Sequence, residues 1–411
     1  MINKKFPIII SIIIGSASAI TPPILLTYGM GQFNIIRIVG QDQSTWWFSM
    51  TLGIVSLSLI FLNPLAGYIF DKSRLSFISR PLWILISSLF GFISMVSLSY
   101  TNNMILLIFF WVTSNISYSL VSLVYFVLIP EIFKKNNLGE ISGFTGSLIP
   151  IVVMVISITV MGIFSPLSVS NKIILTASIQ LILNIAIIYF IDIPSKELSP
   201  NPKKDNNRIA KHNIYPSFKY YPDFTWTLLS RLCIHLVSSG LTMMPLFYIA
   251  RFSLSEEKIF KLQAINSTGV LLMVLFGIIS GYLSDKYNTK KPFVIFSSLA
   301  MGICMYLYSI SDSVLFAIVI SFIYQCCFGV FNSVDLALVN HVLPSKDNYA
   351  KDIAIMNTTN NIAKSIISFI TPTLLIWGIT WMDDDGYTLF FIVLALFSFL
   401  SFLFVTQVKA K

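Results

Sequence analysis

The sequence predicts an all-α membrane protein with twelve transmembrane helices, arranged as two pseudo-symmetric bundles of six. Three observations carry that reading. Of the 411 residues, 55% are hydrophobic and only 11% are charged, against about 25% charged in an ordinary soluble domain. The polar shell that a soluble fold of this size requires is therefore missing. Apolar runs near the membrane-crossing length of about 20 residues recur along the whole chain. The pattern G-Y-x-x-D-K occurs twice, at Gly67–Lys72 and at Gly281–Lys286, 214 positions apart.

Breaks of charge, proline and glycine divide the apolar runs into elements. The first helix is expected over 6–31. Lys4 and Lys5 ahead of an apolar run resemble a signal peptide, but the run continues past Pro22-Pro23 to Gly31 without a small-residue cleavage site. It is long enough to cross a bilayer and is read as a span. Helices 2 to 6 follow at 46–70, 81–100, 104–129, 140–163 and 171–192. A polar stretch at 193–223, with Pro194, Pro200, Pro202, Lys203, Lys204, Arg208 and Lys211, reads as a basic cytoplasmic linker. Helices 7 to 12 are expected at 224–250, 259–284, 292–311, 313–341, 352–380 and 386–407. The chain thus divides into an N-terminal bundle (1–192), the linker (193–223) and a C-terminal bundle (224–411).

Lysine and arginine test the orientation, because cytoplasmic loops carry an excess of them. With both termini in the cytoplasm, 20 of the 27 basic residues lie inside and 5 outside, Arg37, Lys172, Arg251, Lys258 and Lys261; Arg231 and Lys364 fall within spans. In this topology each G-Y-x-x-D-K copy lies in the cytoplasmic turn between the second and third helix of its half. Internal duplication of this kind marks secondary transporters, with a pathway between the halves.

The formal charge of +9 is carried by residues between apolar runs, which points to the membrane surface and not to nucleic acid. Cys233, Cys304, Cys326 and Cys327 lie in apolar stretches and read as small packing residues. No phosphate-binding G-x-x-x-x-G-K-[ST] loop is present. His212, His235 and His341 have no metal-ligand spacing, and no nucleophile–base pair emerges. Neither enzymatic chemistry nor a cofactor or metal is expected.

An ionisable side chain inside a span costs a few kcal/mol at least, so each is a functional candidate. Asp335 is the one carboxylate placed inside the hydrocarbon, about 13 Å in from Pro344, and Arg231 lies about 10 Å in from Phe224 on the same side. Similar depth makes them a pair, either a coupling site or a static salt bridge. His235 sits one turn from Arg231 on the same face, as a proton relay or as a packing histidine. Lys364 tops a stripe with Asn357, Asn360 and Asn361, spaced as one helix face, and suggests a water-filled pathway or binding wall. Gln325 and Asn332 share a face with Asp335. In the first half the polar candidates are neutral: Thr27 and Tyr28 in helix 1, Asn115 and Tyr118 in helix 4. Gly139 and Gly143 read as a close helix contact.

The repeated motif resembles the G-x-x-x-D-[RK] signature of the major facilitator superfamily. The matching residues are Gly67, Asp71 and Lys72, followed by Arg74, and then Gly281, Asp285 and Lys286. The resemblance spans essentially the whole chain and implies the major facilitator fold, with helices 7 and 10 beside a central cavity and the motif acting as a conformational gate. Shorter stretches, "DKSRLSFISRPLWIL" (Asp71 to Leu85), "FTWTLLSR" (Phe224 to Arg231), "VDLALVNHVLP" (Val334 to Pro344) and "KDIAIMN" (Lys351 to Asn357), resemble sugar:cation symporters of the glycoside–pentoside–hexuronide and sucrose type. The chain departs from that branch where melibiose-type members carry membrane-embedded acidic residues in the N-terminal half; helix 2 has Asn63-Pro64 instead. Helix 11 reads Ile362-Ala363-Lys364 where relatives often read L-P-Q.

The expected function is proton-coupled transport of a small polar organic solute, sugar-like by resemblance, through alternating access. Its rivals are a metabolite or drug exporter of the same fold and a non-transporting membrane sensor or scaffold. The expected partners are the solute, a co-transported proton and the lipid bilayer, with no nucleic acid. The expected setting is a monomer in a bacterial plasma membrane.

Overall fold

A computed structural model of the chain describes residues 2–74, 79–132, 138–191, 220–342 and 349–409. Among them no strand occurs, and twelve helical spans are long and apolar enough to cross a membrane. They are α1 (Phe6–Val39), α2 (Gln41–Ile69), α3 (Arg80–Tyr100), α4 (Met104–Ile129), α5 (Gly143–Ile163) and α6 (Val169–Phe190), then α7 (Pro222–Phe252), α8 (Glu256–Lys286), α9 (Lys291–Ser309), α10 (Val314–Val339), α11 (Thr358–Met382) and α12 (Tyr387–Gln407). The linker expected at 193–223 lies outside the described residues up to 219.

Span α1 runs eight residues beyond the expected end at Gly31. Its helix passes through a π-helical turn, Leu26–Met30, and resumes over Gly31–Val39. Pro22 and Pro23 have no N–H to donate and disturb the turn around them. Beside the π turn, side chains bond back to the backbone: Thr27 Oγ1 donates to the Pro23 carbonyl at 2.8 Å, and Gln32 Nε2 to the Thr27 carbonyl at 3.1 Å. Gln32 and Asn34 lie past the expected end, yet both are fully buried, and Asn34 Nδ2 donates to the Leu98 carbonyl. The helix stops at Gly40, whose φ of 81° suits a residue without a Cβ. Span α7 is broken at the matching place. A 3₁₀ turn, Leu241–Met243, separates Pro222–Gly240 from Met244–Phe252, with Pro245 opening the second piece.

The chain forms two compact units, Met1–Asp205 with Glu256–Ser267, and Asn206–Ser255 with Thr268–Lys411. In the first unit α1 packs on α4, α5 and α6, α2 packs on α4, and α3 packs on α4 and α6. In the second unit α7 packs on α10, α11 and α12, α8 through Val270–Lys286 packs on α10, and α9 packs on α10 and α12. These are the same six pairings with every helix number raised by six.

The duplication reaches single side chains. Arg37 donates to the Thr101 carbonyl at the end of α3 and to Ser170 Oγ at the start of α6, both at 3.1 Å. Arg251, 214 positions later, donates to the Ser309 carbonyl at the end of α9 at 3.0 Å and to Thr388 Oγ1 at the start of α12 at 2.9 Å. Each guanidinium fastens the third helix of its half to the sixth. Arg251 adds a bidentate pair with Asp385, Nε–Oδ2 2.7 Å and Nη2–Oδ1 2.5 Å.

Small and polar residues fill the seams inside each unit, as expected where lipid removes the hydrophobic drive between helices. Tyr125 on α4 donates to Asn184 on α6, and Asn184 donates to Ser18 on α1; Gln180 on α6 donates to Ser88 on α3. In the second unit Ser230 on α7 meets Ser401 on α12 at 2.8 Å, and Ser398 donates to the Ser298 carbonyl on α9 at 2.7 Å. The four cysteines are free; Cys233 and Cys304 are buried, Cys326 and Cys327 half-buried.

Candidate functional site

Span α7 starts at Pro222, where the missing N–H costs nothing at a helix start, and carries Arg231 into the bundle nine residues later. Span α10 brings Asp335 to it. Arg231 Nη1 donates to Asp335 Oδ2 at 2.6 Å, and their side chains are 13% and 3% exposed. Burial at this depth requires such pairing, because an uncompensated charge there is costly. Arg231 Nε is also buried, and it has no hydrogen-bond partner among the described residues. His235, one turn further on, is buried at 8% exposure.

Span α11 packs on α7 and carries Lys364, which is half-buried and has no hydrogen-bond or ion-pair partner among the described residues. Its stripe is only partly a wall: Asn361 is half-buried and Asn360 exposed. The side chain of Asn357 lies outside the described residues, as do those of Asp71, Lys72 and Arg74.

The other sequence candidates scatter. Tyr118 is buried against Gly91 of α3, where a Cβ would meet its ring, so it packs inside the first unit. Asn115 donates to the Trp111 carbonyl of its own helix at 2.9 Å. Tyr28 is half-buried in the π turn of α1. Gln325 lies against Gly269 and donates to Ser321 Oγ at 3.4 Å, and Asn332 is exposed.

The two copies of the gate motif differ. A Cβ on Gly281 would meet Ser333 Oγ at 2.8 Å, in a crossing of α8 and α10 that also runs through Gly277 and Gly329. Close approach therefore explains the glycine there. Gly67 and Gly143 have nothing within 4 Å of such a Cβ among the described residues. Asp285 and Lys286 are exposed at the end of α8, and the Asp285 carbonyl accepts from the Asn288 amide.

One charged cluster escaped the sequence reading. Lys172, counted with the loops, is fully buried in the first turn of α6. Its Nζ donates to the Leu167 carbonyl and stands 4.0 Å from the Phe260 ring centre, with Glu256 and Glu257 in electrostatic reach. Phe260 is fully buried, 5.0 Å from the Phe33 ring. Only spatial contact joins these groups; no motif does.

A duplicated twelve-helix frame with an ion pair buried inside a span defines an integral multi-pass membrane protein. The family model described as Major Facilitator Superfamily matches residues 8–368 and, in a second match, 262–410. The chain belongs to that superfamily. Among solved structures, a D-xylose-proton symporter shares 14% sequence identity with a TM-score of 0.73, over 99% of each chain. The xylose transporter XylE from E. coli shares 14% identity with a TM-score of 0.71, over 98% of this chain and 96% of that one. The nucleoside transporter NupG, as a point mutant, shares 13% identity with a TM-score of 0.74, over 98% and 100%. At such identities the likeness is one of fold. No curated protein matches the chain.

Proposed function

We propose that the protein is a secondary active transporter that moves a small polar organic solute by alternating access, coupled to protons. The observation that carries this reading is the Arg231–Asp335 pair, a carboxylate held inside a membrane span against one guanidinium at 2.6 Å. Protonating this carboxylate releases the buried guanidinium from its partner, so proton binding is coupled to a rearrangement of α7 against α10. Superfamily membership and the duplicated packing support transport as the activity. Sugar-like solutes are favoured by the short symporter-like segments and by the xylose and nucleoside named for the structural neighbours. On this reading the chain performs no covalent chemistry and works as a monomer in a bacterial plasma membrane. Residues 1–192 and 224–411 are its two bundles, joined by the basic linker.

Purified protein in liposomes tests it, with D-xylose and uridine as probes. A pH gradient is expected to drive accumulation of at least one probe, and Asp335→Asn to abolish the gradient dependence while the protein stays monodisperse. Equal accumulation with and without Asp335 overturns proton coupling through this residue. Accumulation only under a reversed gradient identifies an exporter.

A further inference from the structure

We propose that the transported solute carries an anionic group, a carboxylate or a phosphate, and that Lys364 is its anchor. This rests on the transport reading and deepens it.

The argument begins with charge. Away from the span ends, the described Arg, Lys, His, Asp and Glu side chains of the second unit are Arg231, His235, Asp335 and Lys364. Arg231 and Asp335 neutralise one another. Lys364 has no carboxylate beside it among the described residues, so the set holds one positive charge in excess. An ammonium inside a span without a counter-ion is costly, and the cost is relieved either by a bound anion or by loss of the proton.

The helix face comes next. Span α11 exposes Ile362, Ile366 and Phe369, at 37%, 41% and 36%. At about 100° per residue, Lys364 lies roughly 160° around the helix from both Ile362 and Ile366. The apolar flank suits acyl chains, and the lysine stands on the opposite flank, with Asn360 and Asn361. Between the flanks Ala363 and Ile367 are buried at 0% and 1%, fixing the helix rotation. The lysine therefore lies on the flank away from the exposed apolar residues.

The third observation is independent. The buried Nε of Arg231 lacks a hydrogen-bond partner among the described residues, although Nη1 is engaged by Asp335. Span α7, which carries this donor, packs on α11, which carries Lys364. An unmet buried donor of this kind is satisfied when an acceptor reaches it. A neutral sugar offers hydroxyl groups but no charge, and it leaves the excess uncancelled. The solute chemistry that fits is a polar organic acid, with hydroxyl groups for the amides and an anion for the ammonium.

The test is binding to the purified full-length protein without any gradient. Thermal midpoints are measured with D-glucuronate, D-glucose 6-phosphate and D-glucose at matched ionic strength. At least one of the two anions is expected to raise the midpoint beyond D-glucose, and which one distinguishes carboxylate from phosphate. Lys364→Met is expected to abolish that difference, and Lys364→Arg to keep it. Should Lys364→Met fail to fold, Lys364→Gln provides the same loss of charge in a polar side chain. The proposal is overturned if D-glucose shifts the midpoint as far as both anions do, if neither anion shifts it, or if the shift survives loss of the lysine charge. Anion binding without flux in liposomes would instead overturn the transport reading and leave this site standing.

Discussion

Lys172 and Phe260 meet face to point: the ammonium stands 4.0 Å from the centre of a ring that is fully buried. A desolvated cation–π contact is worth about 2 kcal/mol. A double-mutant cycle with Lys172→Met and Phe260→Leu is expected to show a coupling energy of that order, read from unfolding of the purified protein in mixed micelles. Strict additivity would show that the two groups are neighbours without being partners.

Arg231 and Asp335 give a different expectation, because removing one member strands the other. Asp335→Ala is expected to destabilise the fold by about 3–5 kcal/mol, and the double replacement Arg231→Met with Asp335→Leu by clearly less. Unfolding measured on the three variants decides this. If the double variant is the least stable, the pair is net stabilising and its burial needs no functional explanation.

The twin clamps should differ in strength. Arg251 makes a bidentate pair with Asp385, whereas Arg37 is exposed and holds a hydroxyl and a carbonyl. Arg251→Gln is expected to cost about 2 kcal/mol, and Arg37→Gln about 1 kcal/mol or less. Raising the salt concentration should narrow the gap only slightly, since the Arg251 side chain is 12% exposed.

The glycines separate in the same way. A Cβ on Gly329 would collide with the Met273 backbone, which cannot swing aside. Gly329→Ala is expected to lose about 1–3 kcal/mol by overpacking. Gly67→Ala meets open space and should gain about 0.5–1 kcal/mol of helix stability. Thermal midpoints of the two variants, compared side by side, check both signs.

Axial position was legible in the sequence, and azimuth was not. Apolar length located the spans, and counting residues from Phe224 and Pro344 set Arg231 and Asp335 at similar depth. Depth says nothing about which way a side chain turns. Tyr118 has the right depth for a binding wall, yet it packs on Gly91 of a neighbouring helix. Gly67 and Gly281 are identical as letters, but among the described residues only the second lies in a close crossing. Lys172 was hidden because a lysine near a span end ordinarily reaches for water. Its burial depends on Phe260, 88 residues away in the chain, and no local pattern announces such a partner. Gln32 and Asn34 lie beyond the expected end of the first helix at Gly31, yet both sit within it, Gln32 bonded to the Thr27 carbonyl of its own span and Asn34 to the Leu98 carbonyl of α3.

The grouping of Glu256–Ser267 with the first unit bears on how the molecule can be taken apart or recombined. A fragment ending at residue 205 lacks the ring that covers Lys172 and would present a naked ammonium in its place. Hybrids that join one half to the matching half of a relative inherit a mismatch at this segment unless the twelve-residue graft travels with its host. A cut at the linker leaves Glu256–Ser267 on the other piece from Lys172.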